Sequence, residues 1–516
     1  MSGFNLHIKR IPKILTFIVA PLLFIYLLFF VHLDPDNPQV TYTLAVALLM
    51  AIWWITEIIP LAVTSLLPIV LFPMLGIMNG KLVSATYFNH VIFLFIGGFL
   101  IALALQKWNL HKRIALKLLL LVGLTPARIL LGFMIATAFL SMWISNTATT
   151  MLMVPILISI ISKLEEINDT ETVQHFSIGL LLSIAYSASI GGIATLIGTP
   201  PNLSFARIFK IYFPNAPEIS FASWFFYAFP ISILLLAITW GYLYFVFVRM
   251  GGTWKTVAKS TITDEYKNLG NWRYEEKILS IVFVLLMFLW FFRADIVIGH
   301  FTIPGWSGLF HNPSYLNDGT VAIFMAILLF IIPSKEKPHQ FLMDWKTAES
   351  IPWDIILLFG GGFALANGFK ESGLSLWFGQ ELSWLKDIHP FIILLIITTI
   401  VTFLTELTSN TATIETFLPV LAGLAVSTSI NPLLVMLPAT IAASLAFMLP
   451  VATPPNAIIF GTKRLKIIDM SRTGLFLNFV GIIIVTLATY YFATYLFDIN
   501  FSSFPDWAKT ALPAVK

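Results

Sequence analysis

The chain has 516 residues, 58% of them hydrophobic and 11% charged, with no cysteine and 30 basic against 26 acidic side chains. Soluble domains carry about a quarter charged residues and under half apolar ones, so this composition is that of a membrane protein. The lack of cysteine excludes disulfides, thiolate metal sites and cysteine nucleophiles. A net charge of +4, dispersed between apolar segments, gives no reason to expect a nucleic-acid partner.

At the N-terminus Lys9, Arg10 and Lys13 precede an apolar run over 14–31 that resembles a signal peptide. Eighteen residues are long enough to cross a hydrocarbon core of about 30 Å and no small-residue cleavage site follows, so the run reads as a retained first helix. Its exit carries Asp34 and Asp36 and no Lys or Arg, which places it outside. Apolar length then predicts spans at about 41–57, 59–77, 88–106, 222–248, 278–294, 319–333, 353–369 and 472–497. With the N-terminus inside, 22 of the 30 Lys and Arg fall in inner connections, so the positive-inside rule predicts a cytoplasmic N-terminus and an external C-terminus in the plasma membrane. The longest polar connection, 251–277, mixes Asp264, Glu265, Glu275 and Glu276 with its bases and reads as a solvated cytoplasmic linker. Trp53, Trp108, Trp345 and Trp353 near segment ends read as interface anchors, and Glu57 as a water-facing carboxylate at the cytoplasmic boundary.

Two stretches break this pattern in the same way. Around 127–161 an apolar run leads to Ser145-Asn146-Thr147 and a short apolar run returns; around 390–428 the design recurs about Ser409-Asn410-Thr411. Polar backbone survives at membrane depth only where protein or a water-filled cavity satisfies it, so both read as re-entrant hairpins with polar tips. Each is followed by an apolar segment, about 175–210 and 432–462, interrupted by Thr199-Pro200-Pro201-Asn202 or Thr453-Pro454-Pro455-Asn456. Paired prolines lack amide donors, so these helices must be unwound near their middles.

The halves are copies. Phe99 and Phe363 lie 264 residues apart, as do Ser145 and Ser409, whereas the two TPPN tetrads are 254 apart, a shortfall assigned to a larger charged loop at 163–175. On the predicted orientation the helices carrying Gly97 and Gly361 run in opposite directions. The fold expected is therefore an all-α polytopic protein of about 11 transmembrane helices, built from inverted-topology repeats over 41–250 and 278–497. Residues 1–40 form the N-terminal end and first helix, 251–277 the linker and 498–516 a tail. Inverted repeats with discontinuous helices point to a secondary transporter whose substrate and ions meet at the repeat interface.

The polar inventory of the four interrupted elements is hydroxyls, carboxamides, free carbonyls and half-helix ends. Hydroxyl and carbonyl oxygens suit a hard monovalent cation such as sodium, while half-helix N-termini and amide donors suit carboxylate oxygens. The motifs contain no Arg or Lys. A dianion brought to the membrane midplane must then be neutralised by bound cations, and two equivalent cation sites would balance a charge of −2.

The pairing of two Ser-Asn-Thr tips with two Thr-Pro-Pro-Asn breaks, together with Trp53-Trp54-Ile55-Thr56-Glu57 and Pro455-Asn456-Ala457-Ile458-Ile459-Phe460-Gly461, resembles the divalent anion/sodium symporter family over about 41–497. The resemblance implies a homodimeric elevator-type carrier of C4-dicarboxylates with co-transported Na+. It implies a first sodium at Ser141, Ser145, Asn146 and the Gly198 carbonyl, and a second at Thr405, Asn410 and the carbonyls of Thr408 and Ala452. Substrate carboxylates would meet Asn146, Thr147, Ser409, Asn410 and Thr411, with Thr199, Pro200, Thr453 and Pro454 lining the pocket. Citrate or sulfate symport and sodium-independent dicarboxylate exchange are the rival readings; an integral-membrane enzyme would need an acid/base constellation that the sequence lacks. The glycines at 97–98 and 361–362 read as close helix packing, and Glu406 as structural, either an acceptor that fixes the tip backbone or a charge set behind the second sodium. Glu415, opposite Met151 in the first half, breaks the symmetry without a role.

Overall fold

The computed structural model describes residues 4–123, 125–167, 170–249, 260–298, 301–501 and 503–509. The molecule is almost wholly helical; among the described residues the β-structure is an antiparallel ribbon, Ile296–Ile298 with Phe301–Ile303, and an isolated bridge from Pro333 to Phe341. Helix is the form in which a lone segment satisfies all its backbone groups in lipid. Seven described helices are long and apolar enough to cross a membrane, and six more of 10–17 residues are apolar. The shorter set includes Pro126–Ser141, Pro390–Thr405 and Pro432–Ala442, arms of the interrupted elements that the sequence marks as too short to span alone.

The predicted hairpins are present. The first pairs Pro126–Ser141 with Asn146–Ile167 about the tip at 142–145, and the second pairs Pro390–Thr405 with Asn410–Thr428 about the tip at 406–409. The broken helices follow: Thr170–Ile193 resumes at Pro200–Tyr212, and Pro432–Ala442 resumes at Pro454–Gly461. Each resumption begins on the first proline of its TPPN, where the missing amide costs nothing and φ is already helical.

Five expectations change. The return arms of the hairpins, expected to be too short to span alone, lie in Asn146–Ile167 and Asn410–Thr428, both long and apolar enough to cross a membrane. The span predicted at 59–77 is cut into Leu61–Thr64 and Leu67–Met74, with Pro60 ahead of it and Pro68 at the restart. The charged stretch 163–175 is not a larger loop: helix runs to Ile167 and again from Thr170, with 168–169 outside the described residues. The extra residues of the first half lengthen its helices, 22 and 24 residues against 19 and 11 in the second, and the first unwound break is shorter. The linker is not uniformly solvated. Its residues 251–259 lie outside the described set, but Glu275 and Glu276 are buried in the first turn of Tyr274–Phe291. Glu276 accepts from the buried Arg113 guanidinium at 2.8 Å, and Glu275 accepts from Ser334 Oγ and the amides of Lys335 and Glu336 at 2.7–2.9 Å. Finally, Trp108 is buried and donates to the Leu342 carbonyl, whereas Trp345 and Trp353 are exposed. Beside it Lys107 bonds Asp344 at 2.7 Å and holds that carboxyl down at about 2.

Two short helices unmarked in the sequence reading, Leu110–Val122 and Leu374–Glu381, start 264 residues apart and open on left-handed residues, Asn109 (φ 55) and Gly373 (φ 80). The repeats also exchange contacts through glycine. A Cβ on Gly97 would lie 2.6 Å from the Ala322 backbone, and one on Gly361 would lie 2.5 Å from Ser65. Each glycine-bearing helix thus packs backbone to backbone on an element of the other repeat, the packing use of these glycines that the sequence suggested.

Candidate functional site

The two tips and the two breaks converge on one cavity of about 810 Å³. Its wall contains Ser145, Asn146 and Thr147 from the first tip, Thr408, Ser409, Asn410 and Thr411 from the second, Gly198, Thr199 and Pro200 from the first break, and Ala452, Thr453 and Pro454 from the second. Phe95, Phe99, Leu358, Leu407 and Val451 supply apolar surface, and Glu57 and Asp354 are the ionisable groups of the lining. Among the described residues no Lys, Arg or His lines it. Of the residues assigned to sodium or substrate from sequence, only Ser141 and Thr405 are not on the wall; both are fully buried behind it.

Those two hydroxyls show how each tip is built. Ser141 Oγ bonds the Asn146 side chain at 2.5 Å and donates to the Ala188 carbonyl at 2.7 Å. Thr405 Oγ1, its counterpart, donates to Asn410 Oδ1 at 2.7 Å and to the Ala443 carbonyl at 2.8 Å. The carbonyls of Ala188, still inside Thr170–Ile193, and of Ala443, just past Pro432–Ala442, escape sequence reasoning because any residue carries one.

The first cluster is rich in oxygen. Asn146 Oδ1 faces the carbonyls of Gly198 and Ala188 and the Ser141 hydroxyl, and turning the amide over would instead bring its nitrogen to those same oxygens at 2.5–3.3 Å. Such a convergence of acceptors is stable only with a donor or a cation at its centre, and hydroxyl, amide and carbonyl oxygens form the ligand chemistry of a hard monovalent cation. Gly192 closes the cluster, since a Cβ there would lie 2.7 Å from Asn146 Oδ1 and 3.0 Å from the Gly198 carbonyl.

The asparagines of the two tetrads splint the breaks and do not line the cavity. Asn202 Nδ2 donates to the carbonyls of Gly192, Ile193 and Thr195 at 2.7–3.2 Å. Asn456 Nδ2 donates to those of Ala446 and Leu449 at 3.0 Å. Both are fully buried, and they satisfy carbonyls that the interrupted helices leave without amides.

The two carboxylates beside the second tip have separate positions. Glu406 accepts from the amides of Phe447, Met448 and Leu449 and from Asn478 Nδ2 at 2.7–3.1 Å, so it fixes the unwound backbone of the broken helix. Glu415 is fully buried, with Oε1 accepting from Ser204 Oγ at 2.9 Å and Oε2 against Gly362, where a Cβ would sit 1.8 Å away. Its counterpart Met151 is exposed, and the counterpart of Ser204 by the 254-residue offset is Ile458, so each half departs from the repeat at one of the two residues that this bond joins.

A family model described as the sodium:sulfate symporter transmembrane region matches residues 12–499. The chain belongs to the sodium:sulfate symporter family. It is 43% identical over 487 residues to the sodium-dependent dicarboxylate transporter SdcS of Staphylococcus saprophyticus, covering 93% of this chain and 92% of that one. It is 44% identical over 484 residues to SdcS of Staphylococcus aureus strain NCTC 8325, covering 93% and 91%. Among solved structures it is similar to MtrF of Neisseria gonorrhoeae, with a TM-score of 0.55 at 11% identity over 90% of this chain and 96% of that one. The YdaH transporter of Alcanivorax borkumensis gives a TM-score of 0.52 at 11% identity over 82% and 87%. At that identity the two structures speak to the fold of this symporter-family chain and not to its cargo.

Proposed function

We propose that the protein is a sodium-coupled symporter that imports a C4-dicarboxylate such as succinate, malate or fumarate. The observation that carries this reading is the pairing of two hydroxyl–amide–carbonyl clusters on one cavity whose wall, among the described residues, holds no cationic side chain. One sodium lies at Ser141, Ser145, Asn146 and the Gly198 carbonyl, and another at Thr405, Asn410 and the carbonyls of Thr408 and Ala452. The dianion sits between them on Asn146, Thr147, Ser409, Asn410 and Thr411, against Thr199, Pro200, Thr453 and Pro454. Two sodium ions neutralise it, and the large electrostatic penalty of a bare dianion at membrane depth disappears. Coupling follows from the same balance: each asparagine turns one side to a cation cluster and the other to the cavity, so binding of either ligand favours the other.

The repeats occupy 41–250 and 278–497 of a homodimer in the plasma membrane, N-terminus inside and C-terminus outside, and the paired hairpins and broken helices move as a unit in an elevator cycle. The SdcS relatives, named as sodium-dependent dicarboxylate transporters, favour this cargo over citrate or sulfate.

Uptake of labelled succinate into proteoliposomes tests the reading. Accumulation should require an inward sodium gradient, and a hundredfold excess of sulfate should leave it largely intact; equal uptake with potassium replacing sodium would establish exchange instead. A packing variant probes the first cation cluster. A Cβ on Gly191 would lie 2.3 Å from the Ala138 carbonyl oxygen and 2.5 Å from its Cα. Gly191→Ala should push away the hairpin arm one turn before Ser141 and stretch the bond to Ala188. The sodium concentration for half-maximal uptake should rise several-fold, and an unchanged value would contradict that placement.

A further inference from the structure

A second cavity, of about 400 Å³, lies behind the first and shares its wall. Leu94 and Leu196 line the second, and their chain neighbours Phe95 and Ile197 line the first. The second cavity is framed by the start of His90–Lys107, the first broken helix and the start of Asp318–Ile331.

Its charge differs from that of the main cavity. Lys210 lines it and donates to the Ala216 carbonyl at 3.1 Å. Arg207, one turn earlier on the same helix and next to the lining Ala206, forms no ion pair among the described residues and keeps a buried Nε without an acceptor. His90 lies close enough to feel the charges of Arg207, Lys210 and Asp318. The carboxylates in the cavity, Glu218 and Asp318, are both engaged by Arg293, at 2.7 and 2.5 Å. Lys210 is the one Lys or Arg among the described residues of the lining; Arg293 neutralises the two carboxylates from outside it, and Arg207, on the helix between the lining Leu203 and Lys210, adds an unpaired positive charge beside it. An unpaired guanidinium set partly into the protein is costly, and its planar donors match a carboxylate.

We propose that this second cavity is a docking site for small carboxylate anions, lined by Lys210 with Arg207 beside it, on the opposite side of the Phe95–Ile197 partition from the sodium clusters. The inference rests on the dicarboxylate reading and adds to it a sodium-independent station that concentrates the anion before it reaches the cation-balanced site.

The chain has no cysteine, so Ser314→Cys, in the wall of the second cavity, creates a single thiol. In the purified full-length protein that thiol should react faster with an anionic methanethiosulfonate than with its cationic analogue, by about tenfold relative to a free thiol. Succinate should slow the reaction in sodium-free buffer. Adding Arg207→Gln should remove both effects, and Arg207→Lys should keep them. In proteoliposomes Arg207→Gln should raise the succinate KM several-fold with kcat and sodium dependence unchanged. A labelling rate indifferent to reagent charge, or a charge preference that survives Arg207→Gln, overturns the site. The charge preference is read without transport, so a Ser314→Cys protein that shows it, in a chain whose cysteine-free form takes up no succinate on a sodium gradient, overturns the transport reading alone.

Discussion

Sodium-driven dicarboxylate uptake should fall by roughly 100-fold or more when either Asn146 or Asn410 is replaced by alanine, with membrane insertion and protein level nearly unchanged. Each carboxamide bonds a buried hydroxyl, Ser141 or Thr405, on one side and faces the cavity on the other. On the proposed placement, truncation would therefore remove a cation ligand and a carboxylate donor at once. Hydrogen bonds to charged partners are each worth about 1.5–3 kcal/mol, and two such losses multiply. Folding should survive because Ser141 and Thr405 keep their bonds to the carbonyls of Ala188 and Ala443. Aspartate at either position separates the two functions: its added charge favours the adjacent sodium and repels the dianion. Asn146→Asp should retain stabilisation by sodium in a thermal-melt assay while losing succinate uptake. Uptake within about twofold of wild type in either alanine variant would sink the site assignment.

Much of the architecture was legible because the repeat is written in the chain. The 264-residue offset carries Ser141 onto Thr405 and Asn146 onto Asn410, and both pairs make the same bonds. What the offset did not reveal has physical causes. A backbone carbonyl such as that of Ala443 becomes available through unwinding, and unwinding is encoded by prolines some residues downstream, not by the residue that offers the oxygen. The burial of Glu275, Glu276 and Arg113 was hidden because charge in a polar connection looks the same whether water or a partner satisfies it. Departures from the repeat are informative in the other direction. Glu415 and Ser204 stand where the first half places Met151 and the second half Ile458, and the structure joins them in one hydrogen bond.

Glu406→Ala should be among the most destabilising single changes in the protein and should abolish transport. The two breaks are held differently because they differ in length: 194–199 in the first half and 443–453 in the second. The short break is pinned by Thr195, whose hydroxyl donates to the Met142 carbonyl at 2.5 Å and accepts from the Gly198 amide at 3.1 Å. By the 264-residue offset Met142 is the counterpart of Glu406, so where the first tip offers a backbone carbonyl the second offers a carboxylate. The longer break leaves three consecutive amides, at Phe447, Met448 and Leu449, without helical acceptors, and Glu406 takes all three. Orphaning a buried amide costs about 1–3 kcal/mol, so alanine should cost several kcal/mol and lower the thermal-unfolding midpoint sharply. Glutamine retains one acceptor oxygen but turns an NH2 toward donors. Glu406→Gln should therefore fold with a smaller loss of stability, and because Ala452 belongs to the same break, its half-saturating sodium concentration should rise. A normal melting profile and wild-type uptake in Glu406→Ala would mean that the second break needs no carboxylate to hold its shape.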